Sequence, residues 1–83
     1  MTQEEVSMII QEIFEDHFQV NPDHFSWEKT IENLHEDLKI LAYLVFMEQI
    51  LEKRFGHKIP LLEKISTSIH TPLDLVQLVM KHL

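Results

Sequence analysis

Six histidines (His17, His24, His35, His57, His70 and His82) are the residues of this 83-residue chain best able to do chemistry. None pairs with another at the i, i+4 spacing that puts two imidazoles on one helical face for a zinc ion. The densest cluster is His35-Glu36-Asp37. Its three side chains are consecutive, so they point in different directions and do not converge on one ion. Acid-base work by Glu36 or Asp37 with His35 would need a nucleophile, oxyanion donors and a pocket. The chain has no cysteine, and residues 27–65 contain no serine; the only side-chain hydroxyls there are Thr30 and Tyr43. Ser7, Ser26, Ser66 and Ser68 lie outside that span. No Gly-rich phosphate loop, Ser-His-Asp order or nucleotide motif is present. These residues predict a protein that is not an enzyme and holds no metal.

Charge points to the kind of partner. The net charge is -7, from 14 acids and 7 bases. Ten of the acids (Glu4, Glu5, Glu12, Glu15, Asp16, Asp23, Glu28, Glu32, Glu36 and Asp37) fall in residues 1–37, with Lys29 the one base there. A polyphosphate needs a basic surface, so nucleic acid is not the expected partner. A basic protein surface, steered in by the acidic half, is compatible with this balance, as is an acidic face kept for solubility. The start, "MTQEEVSMII", lacks the basic opening of a signal peptide. The longest apolar run, Ile40 to Met47, is less than half of the roughly 20 residues needed to cross a bilayer. The expectation is a soluble, cytoplasmic, single domain over residues 1–83 with no membrane span.

The elements that must position these groups are helical. One glycine and three prolines leave little for sheet turns, and apolar residues recur at helical spacing. Thr2 and Glu5 form a capping-box pair. Val6, Ile9, Ile10, Ile13, Phe14 and Phe18 then share a face, and Asn21-Pro22-Asp23 ends the first helix. A loop of about a dozen residues follows, longer than most. Phe25, Trp27, Ile31 and Leu34 are its expected anchors on the core. The second helix is expected to start near Glu36 or Asp37, whose charges suit a helix N-terminus, and to stop at Gly56. Pro60 opens a short third helix with Leu61, Leu62 and Ile65. Thr71, Pro72 and Asp74 open the last, with Leu75, Val76, Leu78, Val79 and Leu83 as its apolar face. The expected fold is all-α: three longer helices, one short helix and a long first loop.

Three stretches carry a likeness to a known family. "TIENLHEDL" (30–38), "LEKRFGHKIP" (51–60) and "IHTPLDLVQLV" (69–79) stand in an order and spacing that resembles the acyl carrier proteins of fatty-acid, polyketide and peptide synthesis. The resemblance implies the carrier four-helix bundle. It also implies a serine, in an Asp-Ser-Leu motif at the start of the second helix, that bears a phosphopantetheine arm. Counting back from Phe55 places that motif on Ile40-Leu41-Ala42; the local pattern places it on Glu36-Asp37-Leu38. The serine position is therefore Leu41 or Asp37, and neither can form the phosphodiester. No phosphopantetheine is expected. Asp37 would stand as a fixed negative charge in place of the arm's phosphate, or as a plain helix-start carboxylate. A true carrier using a displaced serine is the competing expectation.

"HEDLKILAYLVF" (35–46) leads into a helix apolar over most of its circumference, which must be covered on more than one side. Leu38, Leu41, Ala42, Val45 and Leu51, or a close variant set, are assigned to the core. Tyr43, Leu44, Phe46, Met47 and Ile50 are left over, because a bundle this small cannot hide every face of its central helix. They are the expected partner-binding residues. Their partner would be a protein, such as a biosynthetic enzyme or a second copy of the chain. Cover by the Phe25–Trp27 loop and a non-covalently held lipid are the other two fates. The histidines of the acidic half, His17, His24 and His35, would make association pH-sensitive.

Overall fold

A computed structural model describes all 83 residues as five α-helices and one 3-10 turn, with no strand. The helices are α1 (Gln3–His17), α2 (Ile31–Leu34), α3 (Leu41–Phe55), α4 (Leu61–Lys64) and α5 (Pro72–Lys81), and the 3-10 turn spans Glu36–Lys39. They pack into a body of 28 × 25 × 20 Å. α1 and α5 lie along each other and form its most extensive helix pair.

Two helices start as their sequences dictate. The Thr2 hydroxyl accepts from the Glu5 N–H (3.2 Å), and Glu5 Oε1 accepts from the Thr2 N–H (2.9 Å). The hydrogen bond from the Thr2 backbone, then that from its hydroxyl, hold the Glu5 carboxyl below its ordinary value. At α5 the Thr71 hydroxyl accepts from the Asp74 N–H, and Asp74 Oδ2 accepts from the backbone N–H groups of His70 (2.9 Å) and Thr71 (3.0 Å). Burial pushes the Asp74 carboxyl up, but these bonds and the nearby His70 outweigh it and hold it below its ordinary value. α3 ends at Gly56, whose φ of +69° only glycine adopts without cost.

One core unites the bundle. Val6, Ile10, Ile13 and Phe14 of α1 meet Leu75, Val76, Leu78 and Val79 of α5, and Met47, Leu51 and Phe55 close the third side from α3. No polar or charged side chain is buried. Each large apolar side chain so hidden contributes roughly 1.5–3 kcal/mol. The short α4 is held by α3: Glu52 Oε2 accepts from the Ile59 N–H (3.2 Å) and Glu48 Oε1 from the Leu62 N–H (3.0 Å). These two carboxylates satisfy donors that the Pro60 start of α4 leaves without a side-chain cap.

The long first connection is a strap fixed at both ends. α1 stops with Gln19 in the left-handed region (φ +58°) and the Val20 N–H turned back onto the Phe14 carbonyl (3.0 Å). The Phe25 ring then stands edge-on to Phe14 (5.6 Å between centroids) and to Trp27 (4.9 Å). The Leu73 N–H donates to the Trp27 carbonyl, and the Ile31 N–H to the His70 carbonyl (2.8 Å), so the strap is tied to the start of α5. Phe25, Trp27, Ile31 and Leu34 pack on the core as their composition predicts.

Three expectations are corrected. The strap is not all loop: Thr30 caps α2, giving two short helices rather than one. The central helix does not begin at Glu36 or Asp37. His35 Nδ1 accepts the Asp37 N–H (3.2 Å) and caps a 3-10 turn, and Ile40 then takes an extended conformation that separates the turn from α3. Leu41 and Ala42 are not core residues: both are exposed, and Val45 is half-buried. The side of α3 that carries Leu41 and Val45 continues into Glu48 and Glu52, whereas the side that carries Leu44, Met47, Leu51 and Phe55 is apolar to the end of the helix. The second side is therefore the one the core takes.

Candidate interaction surface

The rotation of α3 divides the five residues expected to meet a partner. Met47 is 1% exposed and sits in the core, and Leu44 and Ile50 are also buried. These three are corrected from surface to interior. Tyr43 (41% exposed) and Phe46 (44%) do face outward. They are joined by Leu41 (68% exposed) and Ala42, with Val45 beside them, all three expected in the core, and by Ile40. The outer strip at the start of α3 thus runs Ile40, Leu41, Ala42, Tyr43, Val45, Phe46, with no charged residue among them. The signal that would have found it was the Glu48–Glu52 continuation of the Leu41–Val45 side.

Rings hold the edge of this strip. Phe46 stands edge-on to His17 (6.1 Å between centroids) and to Phe18 (5.9 Å), both at the end of α1. Phe18 also meets His35 (5.8 Å), and His35 lies 6.2 Å from Tyr43. The rings of Phe25 and Trp27 pair with Phe14 and with each other, so the strap does not cover the strip by aromatic contact. Beyond Phe46 an open groove is lined by His17, Gln49, Ile50, Lys53 and Arg54. Arg54 donates to Glu12 Oε1 of α1 (3.1 Å), in the one ion pair of the molecule. Lys53 has no partner within the chain.

The residues weighed for chemistry are dispersed or engaged. His35 Nδ1 accepts the Asp37 N–H, which leaves its ring proton on Nε2. No three His, Asp or Glu side chains stand close enough to hold a metal ion. Leu41, one of the two positions matched to the carrier serine, is the first residue of α3; Asp37, the other, lies in the 3-10 turn. Ser7 is inside α1, Ser26 accepts the Glu28 N–H in the strap, and Ser66 and Ser68 follow α4. No helix is long and apolar enough to cross a membrane. Compared with protein-family models, curated proteins and solved structures, the chain matches none.

Proposed function

We propose that this chain is a carrier-protein-like helical bundle that bears no phosphopantetheine and works as a non-enzymatic protein-interaction module. The outer strip of α3 is its docking face. By the resemblance of residues 30–38, 51–60 and 69–79 to acyl carrier proteins, its setting is fatty-acid or polyketide-type biosynthesis in the cytoplasm. The observation that carries the docking face is the uncharged strip Ile40–Phe46, with Leu41 the most exposed of its side chains. An apolar surface left open by a small domain is a site for association or a liability to aggregation. Supporting the loss of the arm, the first residue of α3 is a leucine, and its cap residue, Ile40, offers no hydroxyl either.

Two measurements test the reading. Incubation with a phosphopantetheinyl transferase and coenzyme A should leave the intact mass unchanged; gain of one phosphopantetheine would make the chain a working carrier through a displaced serine. An apolar fluorescent dye, anilinonaphthalene sulfonate, should bind the folded protein, and Leu41→Ser with Phe46→Ser should abolish that signal while leaving the helical circular dichroism intact. An undiminished dye signal in the double variant would remove the strip as the docking face.

A further inference from the structure

We infer that His35 is a proton-sensitive latch: as a neutral ring it closes the turn that leads into α3, and as an imidazolium it releases that turn. The device lies between the strap and the central helix, and it acts whatever the outer strip binds. His35 ends α2, where its N–H donates to the Ile31 carbonyl (3.1 Å), and it starts the 3-10 turn, where its carbonyl accepts from the Leu38 N–H (2.9 Å). Its Nδ1 accepts from the Asp37 N–H (3.2 Å). Thr2, Thr30 and Thr71 serve the other capped helix starts with hydroxyl oxygens, whose ability to accept does not change with pH. At His35 the acceptor is a nitrogen lone pair that a proton can occupy, and an imidazolium donates from both nitrogens. With Nδ1 protonated, the ring and the Asp37 N–H are two donors face to face, and no rotation of the ring brings up another acceptor. The cap is therefore lost when the proton arrives, and imidazole is the side chain that changes charge between about pH 5 and 8.

The groups around the ring shape what the charged form does. The end of α1 offers the Phe18 ring (5.8 Å between centroids), and α3 offers the Tyr43 ring (6.2 Å), whose phenol stays neutral in this range. Asp16 and His17 precede Phe18, and the His17 ring is turned to Phe46. Glu32 of α2 and Lys39 of the turn line a cleft together. Glu36 and Asp37 follow His35 directly, and neither is in the one ion pair of the molecule. Their carboxylates give a released imidazolium a modest ion-pair partner, so the open form has a contact of its own. Release matters downstream. The turn seats Leu38 in the core, and its Asp37 carbonyl accepts from the Ile40 N–H (2.9 Å) where α3 begins. α3 has no side-chain cap, so the His35 bond is the last cap before it. Opening the turn frees the entry to α3 and the Tyr43 ring that stands beside His35.

Solution NMR of the whole chain tests the latch. As the solution is taken from about pH 8 to about pH 5, the Asp37 amide proton should move upfield. Its exchange protection, corrected for the intrinsic rate, should fall roughly fivefold, the factor of one lost cap. Both changes should follow the titration of the His35 ring, read separately from its imidazole nitrogen resonances. In His35→Asn, whose amide oxygen accepts without titrating, protection of the Asp37 amide should hold across the whole range. In His35→Phe, which keeps a ring but has no acceptor, protection should be low throughout. Asp37 protection that stays unchanged while the His35 ring titrates would overturn the latch. The same pH-dependent loss in His35→Asn would overturn it too, by assigning the change to another group.

Discussion

α5 and the first half of α3 are both rich in aliphatic side chains, yet they treat them differently. α5 starts from a complete capping box with proline at its first position, and it buries Leu75, Val76, Leu78 and Val79 on the side that faces α1. Its polar residues fall on the opposite side. α3 starts at Ile40 with no side-chain cap, and its first half is apolar on both its inner and outer sides. Local signals and burial agree in α5, so its place in the fold is determined twice over. In α3 only burial decides, and it leaves a surplus. A helix end kept uncapped beside an open apolar strip is the sort of local inconsistency expected where a surface has a task other than stability.

The contrast can be broken first at the core. Leu75→Ala in α5 and Met47→Ala in α3 should each cost about 2–5 kcal/mol in urea unfolding, because both side chains are sealed. Leu41→Ser, at the outer side of the same α3, should change stability by no more than about 0.5 kcal/mol. Equal losses at Leu41 and Met47 would mean that the strip is interior after all.

The caps sharpen it next. Thr71→Ala should destabilise by about 1 kcal/mol, since it leaves the Asp74 N–H without its acceptor. Ile40→Ser should stabilise by roughly 0.5–1 kcal/mol, because Ile40 already has the extended backbone of an N-cap and lacks only the oxygen. Thermal unfolding of the pair should move in opposite directions. At the end of α1, Gln19→Gly should stabilise by up to about 1 kcal/mol by relieving its left-handed backbone.

The smallest effect is on pH dependence. The Asp74 carboxyl is held below its ordinary value of 3.8, so its folded form binds a proton less readily than its unfolded form. Its contribution to stability is complete above 3.8 and is lost as pH falls through the lowered folded value. Asp74→Asn should flatten the acid limb of the stability profile in that window while also lowering stability at neutral pH. A limb as steep as that of the wild type would place the acid sensitivity elsewhere.

Much of this was written in the order of residues. Thr2-Glu5, Thr71-Pro72-Asp74 and Gly56 are local devices, and each acts where its own few residues predict. The anchors Phe25, Trp27, Ile31 and Leu34 were legible as apolar groups in a polar stretch, but the short α2 that holds the last two was not. The absence of a serine from residues 27–65 is a fact of the chain itself.

Which way the first turns of α3 face was decided by tertiary structure, with Glu48 and Glu52 further along the only mark of it in the sequence. Leu41, Val45 and Ala42 are as apolar as Leu44, Met47 and Ile50, and over one turn either set could face inward. The choice was made by what the helix carries further on, Glu48 and Glu52 reaching for the backbone of residues 59 and 62, and by the bend at Ile40 that separates α3 from the 3-10 turn. Local sequence specifies caps and turns because those bonds span a few residues. The face a helix buries depends on contacts with segments far along the chain, and so it is settled when they pack.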